Sequence, residues 1–216
     1  MSAIDKLVLA SGNAGKLREF DRLLGPLGIE VIAQSQLGIE PAPEPHCTFI
    51  ENALAKARHA SQMSGCAALA DDSGLCVPAL GAAPGVLSAR FAPSQPGQNQ
   101  DRLNNAQLVQ QLQAHDDRRG FYVAVLVLVL HPQDPLPVIA QALWHGQIID
   151  QPLGENGFGY DPHFWLPEQG KTVAQLDPAV KNRISHRGMA TQSLLQQIRS
   201  LGLVRFTDGN AAEATS

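Results

Sequence analysis

At residues 67–74 the chain reads Ala67-Ala68-Leu69-Ala70-Asp71-Asp72-Ser73-Gly74. The apolar residues predict a short buried strand, and we expect Asp71, Asp72 and Ser73 to lie where it ends and a loop follows. Rigid scaffolds usually carry catalytic groups at such positions. Buried carboxylates are unfavourable unless a cation faces them, typically a metal ion. Asp, Ser and Gly are also common in turns, so this segment alone leaves a metal site and a turn equally open.

The composition limits the classes of protein to consider. The chain has 216 residues, 44% of them hydrophobic, and a net charge of −4, which suits one globular domain and does not suit a protein that binds a nucleic acid polymer. Three cysteines without a paired motif argue against a disulfide framework and a zinc site. The chain starts without a signal-peptide pattern, and its longest apolar run, residues 121–130, is too short to span a bilayer. We therefore expect a cytoplasmic enzyme that does not bind a membrane.

A glycine-rich segment, Ser11-Gly12-Asn13-Ala14-Gly15-Lys16, joins a predicted strand to a predicted helix. Backbone N–H groups at a helix N-terminus bind anions, and a lysine there suits phosphate. The nucleotide P-loop requires four residues between its glycines, whereas two separate Gly12 and Gly15. The segment therefore favours phosphate binding, with a tight turn and a solvated lysine as the alternative.

The next segment is stiff, because three prolines surround Glu44 within residues 41–45. Taken alone, it is more typical of a surface loop. Thr48 and Glu51 then form a capping-box pattern that predicts the start of a helix. Asn52 and Lys56 lie one turn apart on that helix and could face a site.

The second half of the chain contains two further motifs. A predicted antiparallel pair of strands, residues 121–130 and 138–144, follows a helix over residues 100–114 whose Gln- and Asn-rich outer face suggests a structural role. The segment 154–162 combines three glycines with Phe158, Tyr160 and Asp161, which suits stacking on a flat ligand as well as an ordinary turn. Ser185 is a predicted N-cap that places His186 and Arg187 in the first helical turn. Positive charges are unfavourable at a helix N-terminus, and a ligand with hydrogen-bond acceptors would offset that effect.

Five ordered motifs together resemble one family, the noncanonical purine nucleoside triphosphate pyrophosphatases (inosine/xanthosine triphosphatases). They are Ser11-Gly12-Asn13-Ala14-Gly15-Lys16, Thr48-Phe49-Ile50-Glu51-Asn52-Ala53, Asp71-Asp72-Ser73-Gly74, Phe158-Gly159-Tyr160-Asp161 and Ser185-His186-Arg187-Gly188. The resemblance implies an elongated, two-lobed α/β fold with a mixed sheet, flanking helices and a central substrate cleft. It also implies a homodimer that uses Mg²⁺ to hydrolyse ITP, dITP and XTP to the monophosphate and pyrophosphate. We expect a single domain over residues 1–206 and a frayed tail over residues 207–216.

The resemblance also implies roles for individual residues. Residues 11–16 would bind the triphosphate, with Lys16 neutralising it. Glu44 and Asp72 would bind Mg²⁺, and Asp72 would also be the base that activates water. The remaining substrate contacts would come from Ser73, Phe158, Gly159, Tyr160, Asp161, Lys181, His186 and Arg187. Within this set, Phe158 would stack on the purine, and Lys181, His186 and Arg187 would hydrogen-bond it.

Some assignments stay open at the level of sequence. Relatives often have neighbouring acidic residues where this chain has only Glu44 between two prolines, so Glu44 is the only candidate for this metal ligand within residues 41–47. Asp71 is expected to support Asp72 rather than share its role. Two alternatives remain: a nucleotide-binding or sensing protein that does not hydrolyse its ligand, and a related hydrolase that prefers a different or modified base.

Overall fold

The computed structural model describes residues 3–12 and 14–204; Asn13 and the predicted tail over residues 207–216 lie outside them. Strands and helices follow in the order β1 (Lys6–Leu9), α1 (Ala14–Leu24), β2 (Glu30–Ala33), α2 (Phe49–Ser64), β3 (Ala67–Cys76), α3 (Gln100–Leu112), β4 (Arg119–Val129), β5 (Val138–Ile148), β6 (Phe164–Leu166), β7 (Lys171–Thr172), α4 (Pro178–Ile184) and α5 (His186–Ser200). The helices that begin after Thr48 and Ser185 are confirmed: the Thr48 hydroxyl accepts from the backbone N–H of Glu51, and the Ser185 hydroxyl accepts from that of Gly188.

The strands form one mixed sheet in the order β2-β1-β3-β4-β5-β6-β7. β2, β1 and β3 are parallel, whereas each pair from β3 to β7 is antiparallel. The predicted α/β class with a mixed sheet is confirmed, as is the antiparallel return of β5 along β4. Within the described residues, no helix is long and apolar enough to cross a membrane.

One prediction about β3 is wrong. This strand does not end before Asp71; it continues to Cys76, and β4 pairs with it along the way, with Asp71 opposite Leu126 and Asp72 opposite Val125. The alternative of a turn at these residues is wrong for the same reason. Backbone hydrogen bonds from β4 sustain the strand through a polar segment. Gly74 is required there by close contact, because a Cβ atom at this position would lie 2.5 Å from Ser88 Oγ and 2.6 Å from the Gly85 carbonyl oxygen.

The long β3 strand has a different helix layer on each face. Leu69 packs with residues of α1 and α5, including Phe20 and Leu194. Ala68 and Ala70 pack instead with residues of α2, including Ala53 and Ala57. Because side chains alternate across a strand, Asp71 lies on the α1/α5 face and Asp72 on the α2 face. The two adjacent carboxylates therefore meet different partners.

Candidate active site

A cavity of about 460 Å³ lies on the α1/α5 face of β3. Its wall contains the start of α1, the middle of β3, the loop around Ser88, the segment 156–161 and the junction of α4 with α5. Pockets of a few hundred Å³ accommodate ligands of nucleotide size. The predicted site residues that line it are Gly15, Lys16, Ser73, Phe158, Gly159, Tyr160, Asp161, Lys181, His186 and Arg187.

Asp71 holds two cations at the edge of this cavity. Its Oδ2 atom accepts from Arg187 Nε at 2.6 Å and lies 3.2 Å from Lys16 Nζ. Arg187 also donates through Nη2 to the Ser73 hydroxyl at 3.2 Å. Burial would raise the pKa of the Asp71 carboxyl, but Arg187 and Lys16 outweigh it and hold that pKa far below its usual range. Asp71 is therefore an anion that positions the cations lining the cavity, and its side chain faces away from Asp72, which the sequence predicted it to support.

A second charged cluster lies on the α2 face of β3, outside the cavity wall. Lys56 Nζ donates to Asp72 Oδ1 at 2.8 Å, to Glu44 Oε1 at 3.0 Å and to the backbone carbonyl of Asp71 at 3.0 Å. Arg90 Nη1 donates to the other oxygen of Glu44 at 3.2 Å. The extended segment around Glu44 thus reaches Asp72, so the structure brings together the two predicted metal ligands.

The pKa shifts in this second cluster differ between its carboxylates. Burial raises the pKa of Asp72 above its ordinary value, Lys56 opposes that rise, and Glu44 adds to it. Burial also opposes ionisation of Glu44, but Lys56 and Arg90 hold its pKa below the ordinary value. Asp72 is therefore the better proton acceptor of the two, because a base is most effective when its pKa approaches the working pH.

The cluster around Lys56 contains two carboxylates, Glu44 and Asp72, that could bind Mg²⁺. Within residues 3–12 and 14–204, no three or more His, Cys, Asp or Glu side chains form a group that could hold a metal ion. Two carboxylates are nevertheless a usual protein contribution to Mg²⁺, with substrate phosphates and water supplying the rest. Asp72 Oδ2 is buried and has no hydrogen-bond partner among the described residues. Glu44 and Asp72 therefore fit the share of Mg²⁺ ligands that a protein usually supplies.

The aromatic segment is organised by Asp161. Its Oδ2 atom accepts from the backbone N–H of Phe158 at 2.9 Å and from Lys181 Nζ, and its Oδ1 atom accepts from the Tyr122 hydroxyl. Gly157 is required beside it, since its φ is +81° and a Cβ atom there would overlap Asp161 Oδ2. Phe158 remains 64% exposed, with Lys181 Nζ 4.7 Å from its ring centroid. The exposed ring is available for stacking, whereas Tyr160 is buried in the core.

His186 lies at the same end of the cavity as a neutral ring. It stacks on Tyr122, with the ring centroids 4.8 Å apart. Burial, reinforced by the charge of Arg187, lowers the pKa of His186 to about 3. Its Nδ1 atom is buried and has no hydrogen-bond partner within the part of the chain that the structure describes. A neutral imidazole can donate through one nitrogen and accept through the other, so it suits a polar, uncharged ligand group.

The structure does not gather every predicted residue around the cavity. Ser11 and Gly12 follow β1 but are not part of the cavity wall, and the same holds for Glu44 and Asp72. Asp72 immediately precedes Ser73, which does line the cavity. The sequence assigned no role to Glu19 or Asp101, which also line it. Glu19 follows Lys16 by three residues on α1, a spacing that would have placed both on one face of the helix.

Comparison with known proteins identifies the family of the chain. The model of the Ham1 family matches residues 7–197. The dITP/XTP pyrophosphatase of Bordetella pertussis is 61% identical over 199 residues, which cover 92% of this chain and 93% of that protein. The dITP/XTP pyrophosphatase of Ralstonia nicotianae is 57% identical over 194 residues, covering 90% and 96%.

Solved structures give the same result for the fold. A HAM1 protein from Coxiella burnetii superposes with a TM-score of 0.86 at 42% identity, covering 90% of this chain and 98% of that one. The Ham1 protein of Staphylococcus aureus superposes with a TM-score of 0.82 at 36% identity, covering 91% and 99%. The mixed sheet and its helices are therefore shared with these proteins over nearly the whole chain.

Proposed function

The chain belongs to the Ham1 family, and we propose that it hydrolyses noncanonical purine nucleoside triphosphates to the monophosphate and pyrophosphate. The proposed substrates are ITP, dITP and XTP. Relatives at 54–61% identity carry the name dITP/XTP pyrophosphatase and align with 90% or more of this chain. The observation that carries the proposal is the cavity itself, in which buried cations lie beside an exposed aromatic ring.

In the proposed complex, the nucleoside occupies the end of the cavity formed by residues 156–161 and His186. Phe158 stacks on the purine, and such stacking contributes about 1–3 kcal/mol per base. The triphosphate then extends toward the start of α1, where Lys16 offsets its charge. Burial lowers the pKa of Lys16 below its ordinary value, although Asp71 opposes that shift. A phosphate ligand would add a further anion and favour the ammonium form.

Glu44 and Asp72 would hold Mg²⁺ in the working enzyme. The ion would supply charge neutralisation for the phosphates and help to orient water for attack at the α-phosphorus. Asp72 is the proposed base, as the family resemblance implies, because its carboxylate would lie beside that water and could accept its proton. Lys56 donates to both carboxylates and so keeps them close together before substrate arrives.

Selectivity would follow from hydrogen-bond matching at the base. Hypoxanthine and xanthine have a carbonyl oxygen at position 6, where adenine has an amino group. Donors from His186 and Arg187 would pair with that oxygen, whereas adenine would leave them without a partner. An unpaired buried polar group costs about 1–3 kcal/mol, which corresponds to roughly tenfold to hundredfold discrimination per group.

The proposal is tested by measuring pyrophosphate release from ITP, XTP, dITP, GTP and ATP, each with and without Mg²⁺. We expect turnover of the first three only when Mg²⁺ is present. Binding of ITP without any pyrophosphate release would indicate a nucleotide-binding protein instead. A preference for ATP would contradict the assigned roles of His186 and Arg187, whereas a preference for GTP, whose base also has a carbonyl oxygen at position 6, would contradict the proposed substrates.

We also propose a homodimer, as the family resemblance predicts, and a cytoplasmic location, as the sequence analysis predicts. Light scattering coupled to size-exclusion chromatography should give twice the mass of the 216-residue chain. A monomer at micromolar concentration would contradict this part of the proposal without affecting the proposed reaction.

A further inference from the structure

Helix α3 has a buried polar face that the proposed reaction does not use. Asn104 and Asn105 are only 2% and 7% exposed, although the sequence suggested a merely structural outer face for this helix. Asn104 donates to the carbonyl oxygens of Ser88 and Ala89 at 3.2 Å each, and its Oδ1 accepts from the backbone N–H of Ala92 at 2.8 Å. Because buried amides are costly unless they are hydrogen-bonded, these contacts fix the loop around Ser88 against α3.

The same face of α3 holds both ends of one residue in the aromatic segment. Asp101 Oδ2 accepts from the backbone N–H of Gly159 at 2.7 Å. Asn105 Nδ2 donates to the Gly159 carbonyl oxygen at 2.8 Å and to the backbone carbonyl of Asp101 at 2.9 Å. Gly159 has a φ of +60° and belongs to none of the strands, so side chains of α3 supply the hydrogen bonds that a sheet would otherwise provide.

Gly159 lies between two aromatic residues that are held differently. Tyr160 is buried, and its hydroxyl donates to the Ser88 carbonyl oxygen at 2.8 Å. Phe158 is largely exposed in the cavity wall, so its ring is held mainly by the backbone and by Lys181 Nζ, 4.7 Å from the ring centroid. The direction of the Phe158 ring therefore depends on the backbone on either side of it, which Asp161 holds on one side and α3 holds at Gly159.

We propose that Asp101 is a positioning residue that, together with Asn105, fixes the Phe158 ring as the platform for the purine. The proposal rests on the proposed function, because it requires a base to be bound at residues 156–161. By fixing that ring, α3 would contribute to the affinity for the nucleoside half of the substrate. The contacts to phosphate are made at the start of α1 and do not depend on Asp101 or Asn105.

The test separates the two halves of the substrate by using the products as probes. Binding of IMP and of inorganic pyrophosphate with Mg²⁺ is measured by calorimetry for the wild type, Asp101→Ala and Asp101→Asn. Asn keeps an oxygen that can accept from Gly159, whereas Ala does not. We expect Asp101→Ala to bind IMP about tenfold more weakly and pyrophosphate as before, since the Gly159 N–H loses its side-chain acceptor. Asp101→Asn should bind IMP within about threefold of the wild type.

Two further variants distinguish positioning from a direct contact or a loss of stability. Asn105 holds Gly159 but is not part of the cavity wall, so it cannot act by touching the ligand. If the role is positioning, Asn105→Ala should weaken IMP binding as Asp101→Ala does. Gln110→Ala, an exposed position on the same helix, should bind both probes as the wild type does. Hydrogen–deuterium exchange over residues 156–161 in the ligand-free protein should accelerate in Asp101→Ala and remain near wild type in Asp101→Asn.

Several results would overturn the proposal. Equal loss of IMP and pyrophosphate binding in Asp101→Ala would indicate general disruption, and unchanged IMP binding would remove the positioning role. Unaccelerated exchange together with weaker IMP binding would make Asp101 a direct ligand contact. A wild type that fails to release pyrophosphate from ITP would refute the proposed function, while these binding and exchange measurements would still decide the role of Asp101.

Discussion

Replacing Asp71 by Asn should destabilise the fold far more than a surface charge of the same type would. The substitution keeps the size of the side chain but removes its charge. Arg187 and Lys16, which lie 2.6 Å and 3.2 Å from its Oδ2 atom, would then face a neutral amide. The side chain of Asp71 is completely buried, and those of its two partners are largely buried. The cations would therefore lose their counter-charge in a place where water cannot replace it.

The expected loss in the free energy of unfolding follows from the burial of Asp71, Arg187 and Lys16. Removing one partner of a buried ion pair costs about 3–5 kcal/mol, because an uncompensated charge remains. The matched control is Asp150→Asn, which removes a carboxylate 2.8 Å from Arg118 but at a side chain that is 52% exposed. Exposed pairs of this kind contribute about 0–1 kcal/mol. We thus expect the two variants to differ by several kcal/mol in the free energy of unfolding.

Equilibrium urea unfolding at several pH values measures this difference. The pKa of Asp71 is depressed in the folded state, so its stabilising contribution is complete above the unfolded pKa of about 3.9 and declines as pH falls below it toward the folded value. The gap between wild type and Asp71→Asn should accordingly be constant from pH 7 to about pH 5 and shrink below about pH 4. If Asp71→Asn costs no more than Asp150→Asn at pH 7, the ion cluster is not what stabilises this part of the structure.

Three further predictions concern the proposed reaction. Asp72→Asn should reduce kcat for ITP by at least about 10²-fold, the lower range for loss of general base catalysis, and should destabilise the fold less than Asp71→Asn does, because Lys56 keeps Glu44 as a counter-charge; near-normal turnover would exclude Asp72 as the base. Phe158→Ala should raise KM for ITP about fivefold to hundredfold with little change in kcat, and Phe158→Trp should restore it; a loss confined to kcat would contradict stacking. Because a base acts when deprotonated and burial raises the pKa of Asp72, kcat/KM should fall as pH drops toward that raised value. His186, with a pKa of about 3, should add no inflection near pH 6.5, and an inflection there that His186→Gln removes would show that the ring is ionised in the working enzyme.

Much of the fold was predictable because local patterns were strong. Apolar segments marked β1, β4 and β5, and Thr48 and Ser185 marked helix starts through the hydrogen bonds that their hydroxyls accept. The short strands β6 and β7 and the seven-residue α4 were not predicted, since elements of two to seven residues carry too little periodicity to be recognised. Their positions depend on packing against distant parts of the chain.

The site was predictable in its residue types and less so in its geometry. The motifs identified Lys16, Phe158 and Arg187, all of which line the cavity. The bridging position of Lys56 between Glu44 and Asp72 depends on how α2 lies against β3, and no local pattern specifies that arrangement. The buried polar face of α3 was misjudged for a related reason: Asn is common on exposed helix surfaces, and only tertiary contacts reveal that Asn104 and Asn105 are enclosed.

The continuation of β3 gives the two aspartates their different chemistry. In a loop, Asp71 and Asp72 could have turned toward the same ligand, and two like charges so close together would have raised each other's pKa. In a strand they point to opposite faces, where one meets Arg187 and Lys16 and the other meets a single cation among the described residues, Lys56. Two cations overcome the effect of burial on the pKa of Asp71, whereas one does not overcome it for Asp72. One carboxylate is thereby fixed as an anion that holds cations beside the cavity, and its neighbour keeps the basicity that proton transfer requires.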